Sequence, residues 1–228
     1  MIEKKFVAQK KKEYQVKVFL NKKLPKAGLS KIELEKTPLG MKVIIHTSKP
    51  GLVVGRRGMS LNALKETLKT KFGLENPQIE IRTVEEPLLD AQIVASLVAN
   101  RLERYGTNRF RGVGHRIVQS VIDAGAAGVE VKIAGKIQGS MSSFVRFRKG
   151  YLPKCGQVAI DGVDRGYALA VLKAGLIGVS TIILKNKEAL PDLVFFKDIQ
   201  EDVVEGESAE EEAEEIIEEA KGDTSAKA

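Results

Sequence analysis

Tryptophan is absent, cysteine occurs once, histidine twice, and aromatic residues make up only 5% of the 228 residues. The single cysteine, Cys155, excludes an intramolecular disulfide and a cysteine-rich zinc site. With only His46 and His115, and with neither H-E-x-x-H nor C-x-x-C in the chain, no metal or cofactor is expected. No serine stands beside an evident base, so nucleophilic hydrolysis finds no residues. Nowhere do about 18 apolar residues run together, which leaves no candidate membrane span. The N-terminus mixes charge with short apolar pairs, unlike a secretory leader. A reducing, cytoplasmic setting is the expectation.

What the chain does have is charge, unevenly spread. Residues 1–197 carry 35 Lys and Arg against 17 Asp and Glu, a balance of +18, whereas residues 198–228 carry 2 against 13, a balance of −11. The body should attract polyanions, and with so few aromatics, phosphate contact outweighs base stacking as the expected source of affinity. Hydrophobic residues at 43% are enough for a sizeable core, in one or two domains.

The most informative stretch is Ser48 to Phe72, S-K-P-G-L-V-V-G-R-R-G-M-S-L-N-A-L-K-E-T-L-K-T-K-F. A short helix is expected to open with Ser48 as N-cap and Pro50 in its first turn. A second begins after Gly58, where Leu61, Leu64, Leu68 and Phe72 recur at helical spacing and leave Lys65, Lys69 and Lys71 to solvent. Gly55-Arg56-Arg57-Gly58 is then a tight link. Glycine at both ends lets a sugar-phosphate backbone approach, while Arg56, Arg57 and the helix N-terminus supply positive charge. Lys49 and Lys65 flank the loop and complete the candidate RNA-binding set. A Walker A loop is excluded, because it needs Lys and then Ser or Thr after the second glycine.

Around this unit, Glu3 to Leu24 predicts a basic amphipathic helix with Phe6, Val7, Tyr14 and Val18 as core candidates, ended by Pro25 to Gly28. Ile32 and Leu34, then Met41, Val43 and Ile45, alternate on either side of a turn at Thr37-Pro38-Leu39-Gly40, which predicts a hairpin. A strand at Gln78 to Thr83 and a helix over about Pro87 to Arg104, with Ile93, Val94, Leu97 and Leu102, complete the order α-β-β-α-α-β-α. Turn-forming Tyr105 to Asn108 separates a second, smaller α+β domain. Its helix carries Phe110, Val113, Ile117 and Val121 as a core stripe, followed by a strand with Val129, Val131 and Ile133 inward. Gln157 to Asp161 and Ile177 to Leu184 alternate as further strands; Gly166 to Leu172 is helical by composition. Phe144-Val145-Arg146-Phe147-Arg148-Lys149-Gly150-Tyr151 interleaves bases with aromatics. It reads either as RNA-facing surface through Arg146, Arg148 and Lys149 or as an amphipathic edge strand with buried phenylalanines.

V-V-G-R-R-G between a strand and an amphipathic helix resembles the KH domain, whose G-x-x-G loop clamps a few nucleotides, and the element order is similar to its type II arrangement. Over residues 1–185 the chain resembles the small-subunit ribosomal protein three family, in its archaeal or eukaryotic branch. Arg109-Phe110-Arg111, Gly125-Ala126-Ala127-Gly128, V-E-V-K-I-A-G-K-I from Val129 and Gly175-Leu176-Ile177-Gly178-Val179 carry that likeness. It implies a type II KH domain at 1–106, a small α+β domain with an antiparallel sheet at 107–190, with Gly166 to Leu172 as strand, and an acidic extension at 191–228. It further implies no enzymatic role, anchoring to small-subunit ribosomal RNA in the head, neighbouring head proteins as partners, and a second-domain helix bordering the channel through which messenger RNA enters. Arg109, Arg111, His115 and Arg116 are the candidates there. Gly112 stands where relatives often have a second arginine, and His115 where bacterial relatives have lysine.

The acidic extension is expected to lack order, since residues 208–219 are nearly all Glu and Ala. It either screens the basic body, engages a basic neighbour or simply solubilises. Two other functions fit parts of the chain. A free-standing KH regulator of messenger RNA explains Gly55 to Gly58 but not the second domain. A lyase acting on damaged DNA through a lysine Schiff base needs one lysine in a distinctive setting, and none declares itself.

Overall fold

The structure, a computed structural model, describes residues 2–185 other than Leu39 and Glu75. The expected acidic extension at 191–228 therefore lies outside the described residues.

The first half follows the anticipated order. Helix α1 (Ile2–Lys23) leads into β1 (Leu29–Thr37) and β2 (Gly40–Thr47); then come α2 (Pro50–Val54), a 3-10 turn (Arg56–Gly58), α3 (Met59–Phe72), β3 (Gln78–Thr83) and α4 (Ala91–Tyr105). The three strands form one sheet in the order β1, β2, β3, with β1 antiparallel and β3 parallel to β2. Val43 and Ile45 of β2, Leu64 and Leu68 of α3, and Val16 and Leu20 of α1 close its core.

One core expectation for α1 is corrected. Phe6 is 64% exposed, Val7 and Tyr14 are exposed as well, and Val18 is only half-buried. Two apolar stripes run along this helix. The one that packs is the Val16 and Leu20 stripe, which joins Ile32, Val43 and Leu68 in the first core. A second correction concerns Ser48. The residue preceding α2 as its cap is Lys49, with no side-chain capping bond. Thr47, not Ser48, organises the bend: its hydroxyl donates to the Ala27 carbonyl at 2.6 Å and accepts from the Lys49 N–H at 3.2 Å. Pro50 does sit in the first turn.

The second half contains a 3-10 turn (Thr107–Arg109), α5 (Phe110–Asp123), β4 (Gly128–Gly135), β5 (Ser143–Gly150), a single helical turn α6 (Val158–Asp161), β6 (Val163–Leu172) and β7 (Gly175–Leu184). Its sheet runs β5, β4, β7, β6, antiparallel throughout. Helices α4 and α5 cover one face, where Val94, Val98, Leu102, Phe110 and Ile117 meet Val129, Val131, Ile133, Val179 and Ile183. The strand expected at Gln157 to Asp161 is instead the helical turn α6. The short alternation there is held by consecutive turn bonds, Ile160 N–H to Gln157 O at 2.9 Å and Asp161 N–H to Gln157 O at 3.0 Å, rather than by a neighbouring strand. Gly166 to Leu172, helical by composition, lies within strand β6, as the family likeness implied. Tertiary packing decides it: a Cβ at Gly166 would overlap the Ala91 carbonyl, so this segment is pressed flat against the start of α4.

The start of α4 is the most heavily bonded point of the fold. Asp90 caps the helix, accepting the N–H groups of Gln92 at 2.9 Å and Ile93 at 3.1 Å, and also accepts a hydrogen bond from the Ser30 hydroxyl of β1. Asp164 of β6 accepts the Ala91 N–H at 3.1 Å, and the Thr181 hydroxyl of β7 donates to the Ala91 carbonyl at 2.6 Å. The Gln92 amide bonds both the N–H (3.1 Å) and the carbonyl (2.9 Å) of Tyr167. Replacing Asp90 with alanine removes the cap and strands Ser30, so unfolding free energy should fall by about 2 kcal/mol. Asp90→Asn, which caps nearly as well, should retain most of it. Urea denaturation of the three proteins measures the difference.

Candidate nucleic-acid interface

The G-x-x-G loop has the backbone its sequence requires. Gly55 has φ +72°, Arg57 φ +51° and Gly58 φ +74°. At Gly55 a Cβ would also collide with Ser60, whereas at Gly58 the space a Cβ would fill is open. The first glycine is thus fixed by packing and the second leaves room for an incoming group. Arg57, a non-glycine residue in the left-handed region, holds a costly conformation, of the kind retained at binding loops. Helix α3 starts at Gly58 with no side chain capping its first N–H groups. Those donors, the positive end of the helix and exposed Arg56 and Arg57 all lie at one loop. Lys49 is exposed at the far end of α2, and Lys65 is half-buried about 10 Å along α3. These two flank the loop rather than form it.

On the three-stranded sheet three of the cations, Lys31, Lys42 and Arg82, are already partnered. Lys42 and then Arg82 bond Glu80 and hold its carboxyl below the usual range, and Lys31 does the same to Glu33. By contrast, no described carboxylate pairs with Arg56, Arg57, Arg101, Arg109, Arg111 or Arg116.

Helix α5 buries Phe110, Val113, Ile117 and Val121, as its periodicity predicts, and exposes Arg111, His115 and Arg116. The Arg111 guanidinium lies over the Phe110 ring at 5.7 Å. His115 meets the Phe147 ring edge-on at 4.9 Å, so its place on the surface is set by packing. Gly114 is buried because a Cβ there would come within 2.5 Å of that same ring; at Gly112 a Cβ would meet nothing.

The aromatic and basic run of β5 divides between the two faces of the sheet. Phe147 is buried against α5, whereas Phe144 is 57% exposed on the opposite face beneath Lys132 and Arg146 at 4.9 and 5.1 Å. Arg146 also faces Glu130 at 4.0 Å, and Arg148 donates to the Leu152 carbonyl at 3.5 Å. Lys149 donates to Gln119 of α5 and therefore belongs with His115 and Arg116. The structure thus separates Lys149 from Arg146, which sequence reasoning grouped together.

Two residues escaped that reasoning. Arg101 and Tyr105 of α4 border an open cleft with Arg109, Gly112, Val113 and Arg116. Their spacing of four puts them on one helix face, which was readable. That the face lies beside α5 depends on the turn at Gly106, and that was not.

Two family profiles match the chain: "KH domain" over residues 15–88 and "Ribosomal protein S3, C-terminal domain" over residues 98–183. Small ribosomal subunit protein uS3 of Methanocaldococcus jannaschii is 46% identical over 198 residues, covering 87% of this chain and 94% of that one. The protein of the same name from Methanobrevibacter smithii is 41% identical over 194 residues, 85% and 77% of the two chains. That of Methanosphaera stadtmanae is 39% identical over 228 residues, 98% and 89%.

The two neighbouring glycines of α5 should respond oppositely to alanine. Gly112→Ala fills open space in a helix and should raise stability by roughly 0.5–1 kcal/mol. Gly114→Ala drives a methyl into Phe147 and should lower it by about 1–3 kcal/mol. Thermal unfolding of both variants reads the sign directly.

Proposed function

The chain belongs to the small ribosomal subunit protein uS3 family, and from that premise we propose that it anchors to small-subunit ribosomal RNA through Gly55 to Gly58 while α5 borders the path of messenger RNA. The family is that of a ribosomal protein and not of an enzyme. The observation that carries the anchoring role is the loop itself: two glycines at positive φ, an uncapped helix start and two unpaired arginines converge where a phosphate backbone would lie. Lys49 and Lys65 extend that surface along both helices. Arg109, Arg111 and Arg116, with His115 and Lys149 beside them, form a second cationic surface on α5 and the edge of β5. Arg146 and Arg148 are a weaker third, since Arg146 has Glu130 near it.

In this reading the protein works on the ribosome in the cytoplasm, beside other head proteins. No described helix is long and apolar enough to cross a membrane. A free-standing KH regulator would share the loop, but the profile match over residues 98–183 gives the second domain a ribosomal counterpart. The lyase reading gains no support, because none of the described lysines is buried.

Arg56→Asp combined with Arg57→Asp should leave circular dichroism unchanged and weaken binding to ribosomal RNA, with a salt dependence shallower by about two in log–log slope. Equal affinity at every salt concentration would refute the anchoring role.

Arg111→Ala should permit assembly into small subunits and impair messenger handling modestly, whatever the message sequence. Sucrose-gradient sedimentation and toeprinting on short and structured messages test the two halves. Normal toeprints with defective assembly would make Arg111 a ribosomal RNA contact instead.

A further inference from the structure

Arg101 and Tyr105 stand one helical turn apart on α4, Gly112 and Arg116 one turn apart on α5, and Arg109 ends the 3-10 link between the helices. Together with Val113 they line an open cleft of about 360 Å³. Three arginines thus line one small site, with no described carboxylate paired to any of them. Some cations elsewhere are partnered, as Lys42 and Arg82 are by Glu80 and Lys154 by Glu130, but here three arginines border a single cleft. Three bare like charges repel one another, and a polyanion is what would make their grouping favourable.

Two further features narrow the ligand. The Tyr105 ring is 50% exposed beside the arginines and packs against no other described aromatic ring. Gly112 costs helix α5 stability relative to alanine, yet nothing within 4 Å of its missing Cβ requires a glycine. Its effect is to keep the floor of the cleft bare. We propose that this seam between α4 and α5 is a pocket for one nucleotide of single-stranded RNA, with its base on the Tyr105 ring and the adjoining phosphates held by Arg101, Arg109 and Arg116. A volume near the low end of the roughly 300–1,000 Å³ of small-ligand sites suits one nucleotide and excludes a duplex. Stacking on the ring tolerates any base, while forked guanidinium groups suit phosphate oxygens. An isolated phosphate would leave the ring unused, and so would an acidic peptide. The inference rests on the reading that α5 faces RNA, and it adds a base-binding element to a surface otherwise made of charge.

The test uses the full chain carrying Arg56→Asp and Arg57→Asp, so that the KH loop does not contribute. A short oligoribonucleotide with one 2-aminopurine reports stacking through quenching of its fluorescence. Saturable quenching is expected. Tyr105→Ala should abolish it and weaken binding roughly tenfold, Tyr105→Phe should preserve both, and Arg101→Ala should lower the salt slope by about one while quenching persists at saturation. Gly112→Leu, which fills the cleft without changing charge, should also abolish quenching, with circular dichroism confirming the helices. Absence of saturable quenching in the starting protein overturns the proposal, as does equal loss in Tyr105→Phe and Tyr105→Ala. If a glutamate-rich peptide spanning residues 205–219 displaces the oligoribonucleotide equally well from the Tyr105→Ala variant and its parent, the site is a plain acidic-segment contact, and the proposal again fails. Failure of the messenger-path reading is distinguishable: Arg111→Ala lies outside this cleft, so unchanged toeprints with intact Tyr105-dependent quenching would sink that reading alone.

Discussion

Asp90 is the residue on which the arrangement of both halves turns. Its carboxylate satisfies two otherwise orphaned N–H groups at the start of α4 and accepts the Ser30 hydroxyl from the first sheet. One residue later, the Ala91 backbone is held from the second sheet, by Asp164 on its N–H and Thr181 on its carbonyl. Helix α4 is therefore pinned at its N-terminus by strands from both sheets. Everything downstream inherits that fixed point, including the position of Tyr105 at the other end of the helix and of α5 beyond it. These directional bonds at one helix terminus add a fixed register to the apolar packing of Val94, Val98 and Leu102 on the second sheet.

The distribution of carboxylates explains how a strongly basic body offers distinct surfaces. Where glutamates stand beside lysines, as on the first sheet, the cations are neutralised locally and the sheet face is electrostatically quiet. Where helices begin or meet, at Gly58 and along the α4–α5 seam, described carboxylates are missing and glycines replace side chains. Phosphate can then reach backbone N–H groups and guanidinium groups together. In the proposed reading, net charge draws RNA in and these exposed helix ends receive it.

Much of this was legible from the residues. Gly55 to Gly58 could be placed from two glycines and a helical apolar pattern, because local backbone requirements are written locally. The α5 stripe was readable for the same reason. What could not be read depended on distant partners. In α1 two apolar stripes are equivalent by periodicity, and only the position of β1 and α3 decides that Val16 and Leu20 are buried while Phe6 and Tyr14 are not. Gly166 to Leu172 has helix-forming composition, overridden by the closeness of Ala91. Arg101 and Tyr105 look like ordinary solvated residues until the turn at Gly106 brings α5 alongside.

The Gln92 amide, set against the N–H and carbonyl of Tyr167, stands in for a missing neighbour strand, and Glu103 accepts the Val171 N–H at 2.9 Å a little further along. The outer edge of β6 is thereby shielded from recruiting another chain. The opposite edge of the same sheet, β5, has no such cover among the described residues but carries Arg146, Arg148 and Lys149, charges that discourage edge-to-edge aggregation. A protein that must survive between synthesis and assembly thus has both margins of its second sheet guarded, one by mimicry of a strand and one by repulsion.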